Sequence, residues 1–227
     1  NIPTAETGQV FFDSTNLDFK YQFPTTVTSW RTQNSLNTAR QQLGGAGSQT
    51  QALAIGGTTG SVTGATEQWA GSSWTEVNDL NTARRLQTGR GTYTSALAMG
   101  GFVPPQTAIV ESWNGTNWTE TTDLNTAKYG LGSAGADNTS VLVFGGYDGS
   151  SYQDQMESWN GSSWTETTNM NTGRGTGGSA GTVTSALYYG GEHPAKANTE
   201  SWNGSSWTEV SDLNESKYGV GGSGVDN

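Results

Sequence analysis

From Arg40 onward one pattern of apolar and polar positions recurs along the chain. A stretch of small residues comes first, as in Leu43-Gly44-Gly45-Ala46-Gly47. An apolar run follows and closes on a glycine pair: Ala52 to Gly57, Ala96 to Gly101, Val141 to Gly146 and Ala186 to Gly191. A loop of changing sequence leads to a third run that ends in Glu-Ser-Trp or Glu-Gln-Trp, and a fourth opens on a second tryptophan. Between the two tryptophans, Asn114-Gly115, Asn160-Gly161 and Asn203-Gly204 predict tight hairpins, because both residue types tolerate positive φ. A polar link ending in Asn-Thr-Ala-Arg or a variant closes each unit, at Asn81 to Arg84, Asn125 to Lys128, Asn171 to Arg174 and Asn214 to Lys217. Short runs bounded by turn residues predict strands, and no helical periodicity competes with them.

The second tryptophans, Trp74, Trp118, Trp164 and Trp207, stand 44, 46 and 43 residues apart, and Trp30 lies a further 44 upstream. A fixed period of this size signals a repeat architecture. Upstream of the full repeats, Thr7 to Phe23 predicts a β-hairpin: Val10-Phe11-Phe12 and the alternating Leu17 to Phe23 flank the turn-rich Asp13 to Asn16. Asn1 to Glu6 is a polar lead-in, and a start on Asn rather than Met suggests a processed form or a piece of something longer.

Four short antiparallel strands per repeat of about 44 residues predict the blade of a β-propeller. Crowding around a central channel accounts for a first strand built of Gly, Ala and Ser. The C-terminal Asp226-Asn227 matches the strand turn Asp137-Asn138, and Thr7 to Phe11 is in phase to supply the strand that would follow. The expectation is therefore an all-β, five-bladed propeller of four-stranded blades, closed by pairing of the two termini. Its blades would be 40–83, 84–127, 128–173 and 174–216, with a shared closing blade from 7–39 and 217–227.

The glycine pair, the aromatic of the third strand, the tryptophan opening the fourth and Met170-Asn171-Thr172-Gly173-Arg174 together resemble the kelch repeat. The resemblance covers about Trp30 to Tyr218. It departs in carrying Trp followed by Asn-Gly where kelch units usually have Tyr and an Asp-Pro-like turn. The opening Gly-Gln-Val-Phe-Phe-Asp-Ser-Thr and the Trp-Asn-Gly-Ser-Ser-Trp style are also similar to segments of phage tail-fibre and other virion surface proteins. In kelch propellers that bind acidic peptides, arginines at the link position face the pocket. The copper oxidases of kelch architecture need two histidines and a cysteine-tyrosine crosslink, which this chain cannot supply.

Composition narrows the function. The hydrophobic fraction is only 31%, but nine Trp, eight Tyr and six Phe concentrate it in large side chains able to build a core. A formal net charge of −10 argues against nucleic acid, whose binding rests on clustered Lys and Arg. No apolar run of membrane-spanning length exists, so no membrane insertion is expected. Cysteine is absent and histidine occurs once, which leaves no thiolate or multi-histidine metal site and no expected cofactor. A Ser-His-Asp arrangement could use only His193, which has no elbow motif near it. Asn-x-Ser/Thr sequons at Asn114, Asn117, Asn138, Asn160, Asn203 and Asn214 mostly coincide with turns.

Three groups of residues are candidates for binding. The paired tryptophans could stack on sugars, although recurrence in every unit fits packing between blades better. The cations Arg40, Arg84, Lys128, Arg174 and Lys217 could line a channel mouth, or pair with a repeated glutamate such as Glu67, Glu111, Glu157 or Glu200. The loops Thr58 to Gly64, Phe102 to Thr107, Tyr147 to Gln155 and Glu192 to Asn198 differ sharply between near-identical flanks, as recognition loops on a fixed frame do. Phe102, Tyr147, Asp148, Tyr152 and His193 stand out in them. The expected role is a non-catalytic module on a virion or cell surface, binding a glycan or a surface protein. The alternative is a structural or protein-interaction propeller within a phage tail or capsid assembly. A glycoside-active enzyme using channel-mouth carboxylates is the third reading.

Overall fold

The computed structural model describes residues 10–13, 18–21, 32–192 and 194–224. The chain divides into two compact units, Asn1–Gln33 and Asn34–Asn227. In the first, strands β1 (Val10–Asp13) and β2 (Asp18–Tyr21) pair antiparallel, with Val10 opposite Tyr21 and Asp13 opposite Asp18. This is the hairpin that the alternation of apolar and polar residues predicts.

The second unit holds four antiparallel sheets, each of four strands consecutive in sequence. They are β3 (Gly44–Gly47), β4 (Ala52–Thr58), β5 (Val62–Trp69) and β6 (Trp74–Val77); then β7 (Thr88–Thr92), β8 (Ser95–Met99), β9 (Val110–Trp113) and β10 (Trp118–Glu120). The third is β11 (Gly132–Asp137), β12 (Ser140–Phe144), β13 (Met156–Trp159) and β14 (Trp164–Thr167), and the fourth β15 (Gly178–Gly181), β16 (Ala186–Tyr189), β17 (Thr199–Trp202) and β18 (Trp207–Val210). The described residues thus form four such sheets where the sequence predicts five blades, and residues 218–224 form no strand. Trp30 and the last three residues lie outside the described residues.

The first strands β3, β7, β11 and β15 stand side by side. Their small residues are a steric requirement: a Cβ on Gly89 would come within 2.7 Å of the Gly45 carbonyl oxygen. Hydroxyls stitch them together, with the Thr88 and Ser133 Oγ atoms 2.7 Å apart and the Ser133 amide donating to Ser179 Oγ at 3.1 Å.

Between neighbouring sheets lie three apolar cores. The first joins Leu53, Ile55 and Leu80 to Ala96, Ala98, Trp113 and Trp118. The next joins Leu97, Met99 and Val110 to Val141, Val143, Trp159 and Trp164, and the third joins Leu142, Phe144 and Met156 to Ala186, Tyr188, Trp202 and Trp207. Within each sheet the two tryptophans sit directly opposite, with ring centroids 5.1–5.5 Å apart. The third-strand indoles donate to the first-to-second-strand turns, as in Trp113 Nε1 to the Tyr93 oxygen at 3.0 Å. Trp118 Nε1 donates across to Thr66 Oγ1 at 3.2 Å and Trp164 Nε1 to the Thr122 oxygen at 3.0 Å, while the Trp207 ring packs on Phe144 of the third sheet. The tryptophans therefore belong to the packing between sheets.

One expected loop is largely strand. Gly56 and Gly57 take positive φ (59° and 108°) and form a bulge, after which β4 continues to Thr58 and β5 begins at Val62, leaving only 59–61 of the predicted Thr58 to Gly64 loop.

Candidate binding face

The polar links and the second-to-third-strand loops meet at one end of the sheets. The residue after each link cation bridges to the residue after a glycine pair: Gln41 to Thr58, Arg85 to Phe102, Tyr129 to Tyr147 and Gly175 to Glu192. The Asn-Gly turns lie at the opposite end, where Asn160 Oδ1 accepts the Ser162 and Ser163 amides at 3.0 Å.

Four of the five link cations turn inward. Arg40 pairs with Glu67, Arg84 with Glu111 and Arg174 with Glu200, and Lys128 Nζ lies 3.4 Å from Glu157 Oε1; all four cationic side chains are fully buried. Each arginine also donates to a second-strand carbonyl, Arg84 Nη2 to Ala98 at 3.1 Å and Arg174 Nη2 to Tyr188 at 2.9 Å. The glutamates are held further by the links, Glu111 accepting the Asn81 and Thr82 amides at 2.7 and 3.2 Å. Burial raises the Glu67 pKa, but the Asn37 amide and Arg40 outweigh it and leave the group below the ordinary carboxylate value. Lys217 differs, being exposed beside Glu215. The four paired cations thus build the frame of this face, and their charge is taken up by carboxylates.

What faces outward is aromatic. Phe102 and Tyr129 have ring centroids 5.5 Å apart, Tyr129 and Tyr147 5.5 Å, and Tyr147 and Tyr152 4.9 Å. Arg85 lies over the Phe102 ring at 5.2 Å and donates to Gln42 Oε1 at 2.9 Å. All four rings are half-buried; Phe102 follows β8 of the second sheet, and Tyr129, Tyr147 and Tyr152 belong to the link and loop of the third. Tyr152 packs over Gly175, where a Cβ would meet its ring at 3.1 Å. Burial, then the Glu192 carboxylate and neighbouring phenols, pushes the Tyr152 pKa up to about 12, so it remains a neutral hydrogen-bond donor. Tyr129 is raised for the same first reason.

Of the loop residues singled out in sequence, Phe102, Tyr147 and Tyr152 come together in this row. Asp148 does other work: its Oδ1 accepts the Ser150 and Ser151 amides at 2.8 Å and its Oδ2 accepts Gln153 Nε2 at 2.7 Å, which shapes the Tyr147 to Gln155 loop. His193 lies outside the described residues. Tyr129, Arg85 and Glu192 were not singled out in sequence. For the first two a signal is present, since the position after each link cation changes from repeat to repeat while the cation before it stays Arg or Lys.

No family model matches the sequence, and comparison with curated proteins gives no match.

Proposed function

We propose that the chain is a non-catalytic binding module of a virion or cell surface, which recognises a glycan or a surface protein through the link-and-loop end of its sheets. The observation that carries this reading is the half-exposed row Phe102, Tyr129, Tyr147 and Tyr152, set on a frame whose cations are all spent on internal pairs. Rings with hydroxyl edges suit the stacking and hydrogen bonding that sugars offer. The opposite end repeats the same small polar turns and offers little to tell ligands apart.

The reading includes a five-bladed, kelch-like ring. Two features support a fifth blade. The flanks of the row of four sheets are under-filled: Tyr189 is half-buried where its counterparts Ile55, Met99 and Phe144 are fully buried, and Trp74 is half-buried where Trp118, Trp164 and Trp207 are buried. A backbone belt also runs from link to link, with Leu86 N donating to the Gln42 oxygen at 2.8 Å, Gly130 to Leu86 at 2.9 Å, Thr176 to Gly130 at 2.7 Å and Gly219 to Thr176 at 2.8 Å. Gly219 thus occupies a fifth link position, with Gln42 the partner that would complete the circuit.

A glycan array tests the reading with the full chain and a variant carrying Phe102→Ser, Tyr147→Ser and Tyr152→Ser. Wild type should retain a defined set of sugars, and the variant should lose them with its melting temperature lowered only slightly. Equal retention by both proteins, or none by wild type, rejects the glycan reading and leaves assembly with neighbouring chains as the alternative.

A further inference from the structure

A channel of about 1210 Å³ runs along the first strands, from Gln42, Leu86 and Thr176 at the link end to Ser48, Tyr93 and Thr182 at the turn end. Its lining is Gly, Ser, Thr, Gln and a few apolar residues, with one charged side chain, Arg90. The position is an exception within the repeat. Arg90 stands opposite Leu97, and the residues in the same register against Leu53, Leu142 and Leu187 are Ala46, Ala134 and Ala180.

Arg90 is also an exception among the cations. The four cations with fully buried side chains, Arg40, Arg84, Lys128 and Arg174, each have a glutamate beside them, and half-buried Arg85 lies over Phe102. Arg90 Nη2 donates to the Ser133 oxygen at 2.7 Å, and among the described residues no carboxylate pairs with the guanidinium. Its Nε, like those of Arg40, Arg84 and Arg174, is buried without an acceptor. Burial lowers its pKa, with the Tyr189 phenol opposing, but an arginine so shifted stays charged at neutral pH. Arg90 is half-buried in the channel wall, and a cation partly withdrawn from water with spare donors and no counter-ion is costly in a folded protein. A bound anion would remove that cost.

We propose that the channel is a binding site for a small oxyanion, a carboxylate or sulfate group, held by the Arg90 guanidinium with the Thr88, Ser133 and Ser179 hydroxyls beside it. The fork of N–H groups matches two oxygens of such an anion. Either a sugar acid or a sulfated group would present this chemistry. The inference does not depend on the aromatic row.

Calorimetric titration of the full chain with sodium glucuronate and with sodium sulfate, at ionic strength fixed by sodium chloride, tests it, with glucose as the uncharged control. Wild type should bind at least one of the two anions saturably and glucose not at all. Arg90→Ala should weaken that binding at least tenfold without lowering the melting temperature, because alanine is already the residue of the three sister strands. Arg90→Lys keeps the charge without the fork and should bind more weakly than wild type. The variant lacking Phe102, Tyr147 and Tyr152 should bind the anion as wild type does. No saturable anion binding by wild type, or unchanged binding by Arg90→Ala, overturns the proposal. If Arg90→Ala does not fold, the decision passes to Arg90→Lys and to the Arg90 Nε–H resonance of wild type, which must move on addition of the anion.

Discussion

The buried pairs show how differently one residue type behaves in two settings. Glu111 and Arg84 are both fully buried, whereas Glu215 and Lys217 are 76% and 55% exposed, so water screens the second pair and not the first. Glu111→Ala would strand the Arg84 charge and two link amides, and should cost about 3–5 kcal/mol. Glu215→Ala should stay within about 0.5 kcal/mol. Urea melts of the two variants check the contrast, and a Glu111→Ala loss below about 1 kcal/mol would mean that water reaches Arg84. The recurrence of one cation and one glutamate per repeat made this pairing readable from sequence. Arg90 breaks the small-residue composition of its strand in a single repeat, so periodicity carries no signal for it. Asp148 was read by type alone, and only the backbone path shows that its oxygens face its own loop.

Among the elements, the hairpins between paired tryptophans follow from short-range chemistry and were legible for that reason. Gly115, Gly161 and Gly204 take φ of 94°, 93° and 91°, the left-handed region that Asn-Gly anticipates. The first sheet has Ala70-Gly71 there, so its turn lacks the side-chain cap that Asn160 gives. The Thr58 to Gly64 stretch reads as a loop because Gly and Thr cluster in it, yet a two-glycine bulge lets the strand resume, a tertiary outcome that composition does not encode. Burial separates elements that look identical in sequence. Trp118 is 5% exposed and fills the core between two sheets, so Trp118→Ala should cost about 3–5 kcal/mol. Trp74→Ala, at a half-buried counterpart, should cost roughly half as much. Equal losses in thermal or urea denaturation would mean that Trp74 is as enclosed as the rest.

Across the whole molecule, period and strand count made the four-stranded sheets legible, whereas the two end segments do not repeat and give no comparable signal. Phe12-Asp13 stands where later units have Gly-Gly, and residues 218–224 form no strand. Residues 219–224 nevertheless run beside β15, with Gly181 N donating to the Gly224 oxygen at 3.2 Å. Deleting 218–227 should expose the first strand of the fourth sheet, and an open edge invites pairing between molecules. Size-exclusion chromatography should then show higher oligomers and calorimetry a lower melting temperature. A monomer with an unchanged melt would mean that this stretch does not shield β15.

The link that precedes each sheet grips that same sheet. Asn81 and Arg84 hold Glu111, and Asn81 Nδ2 donates to the Trp118 oxygen at 3.0 Å, all within the span that ends at Leu124. The ion pair and its hydrogen bonds are therefore inherited together when that span is copied. Duplication or loss of one such span would leave every remaining lock whole and alter only the number of sheets. Natural length variants of this chain should accordingly differ by whole multiples of about 44 residues, with their breakpoints just ahead of Asn81, Asn125 or Asn171.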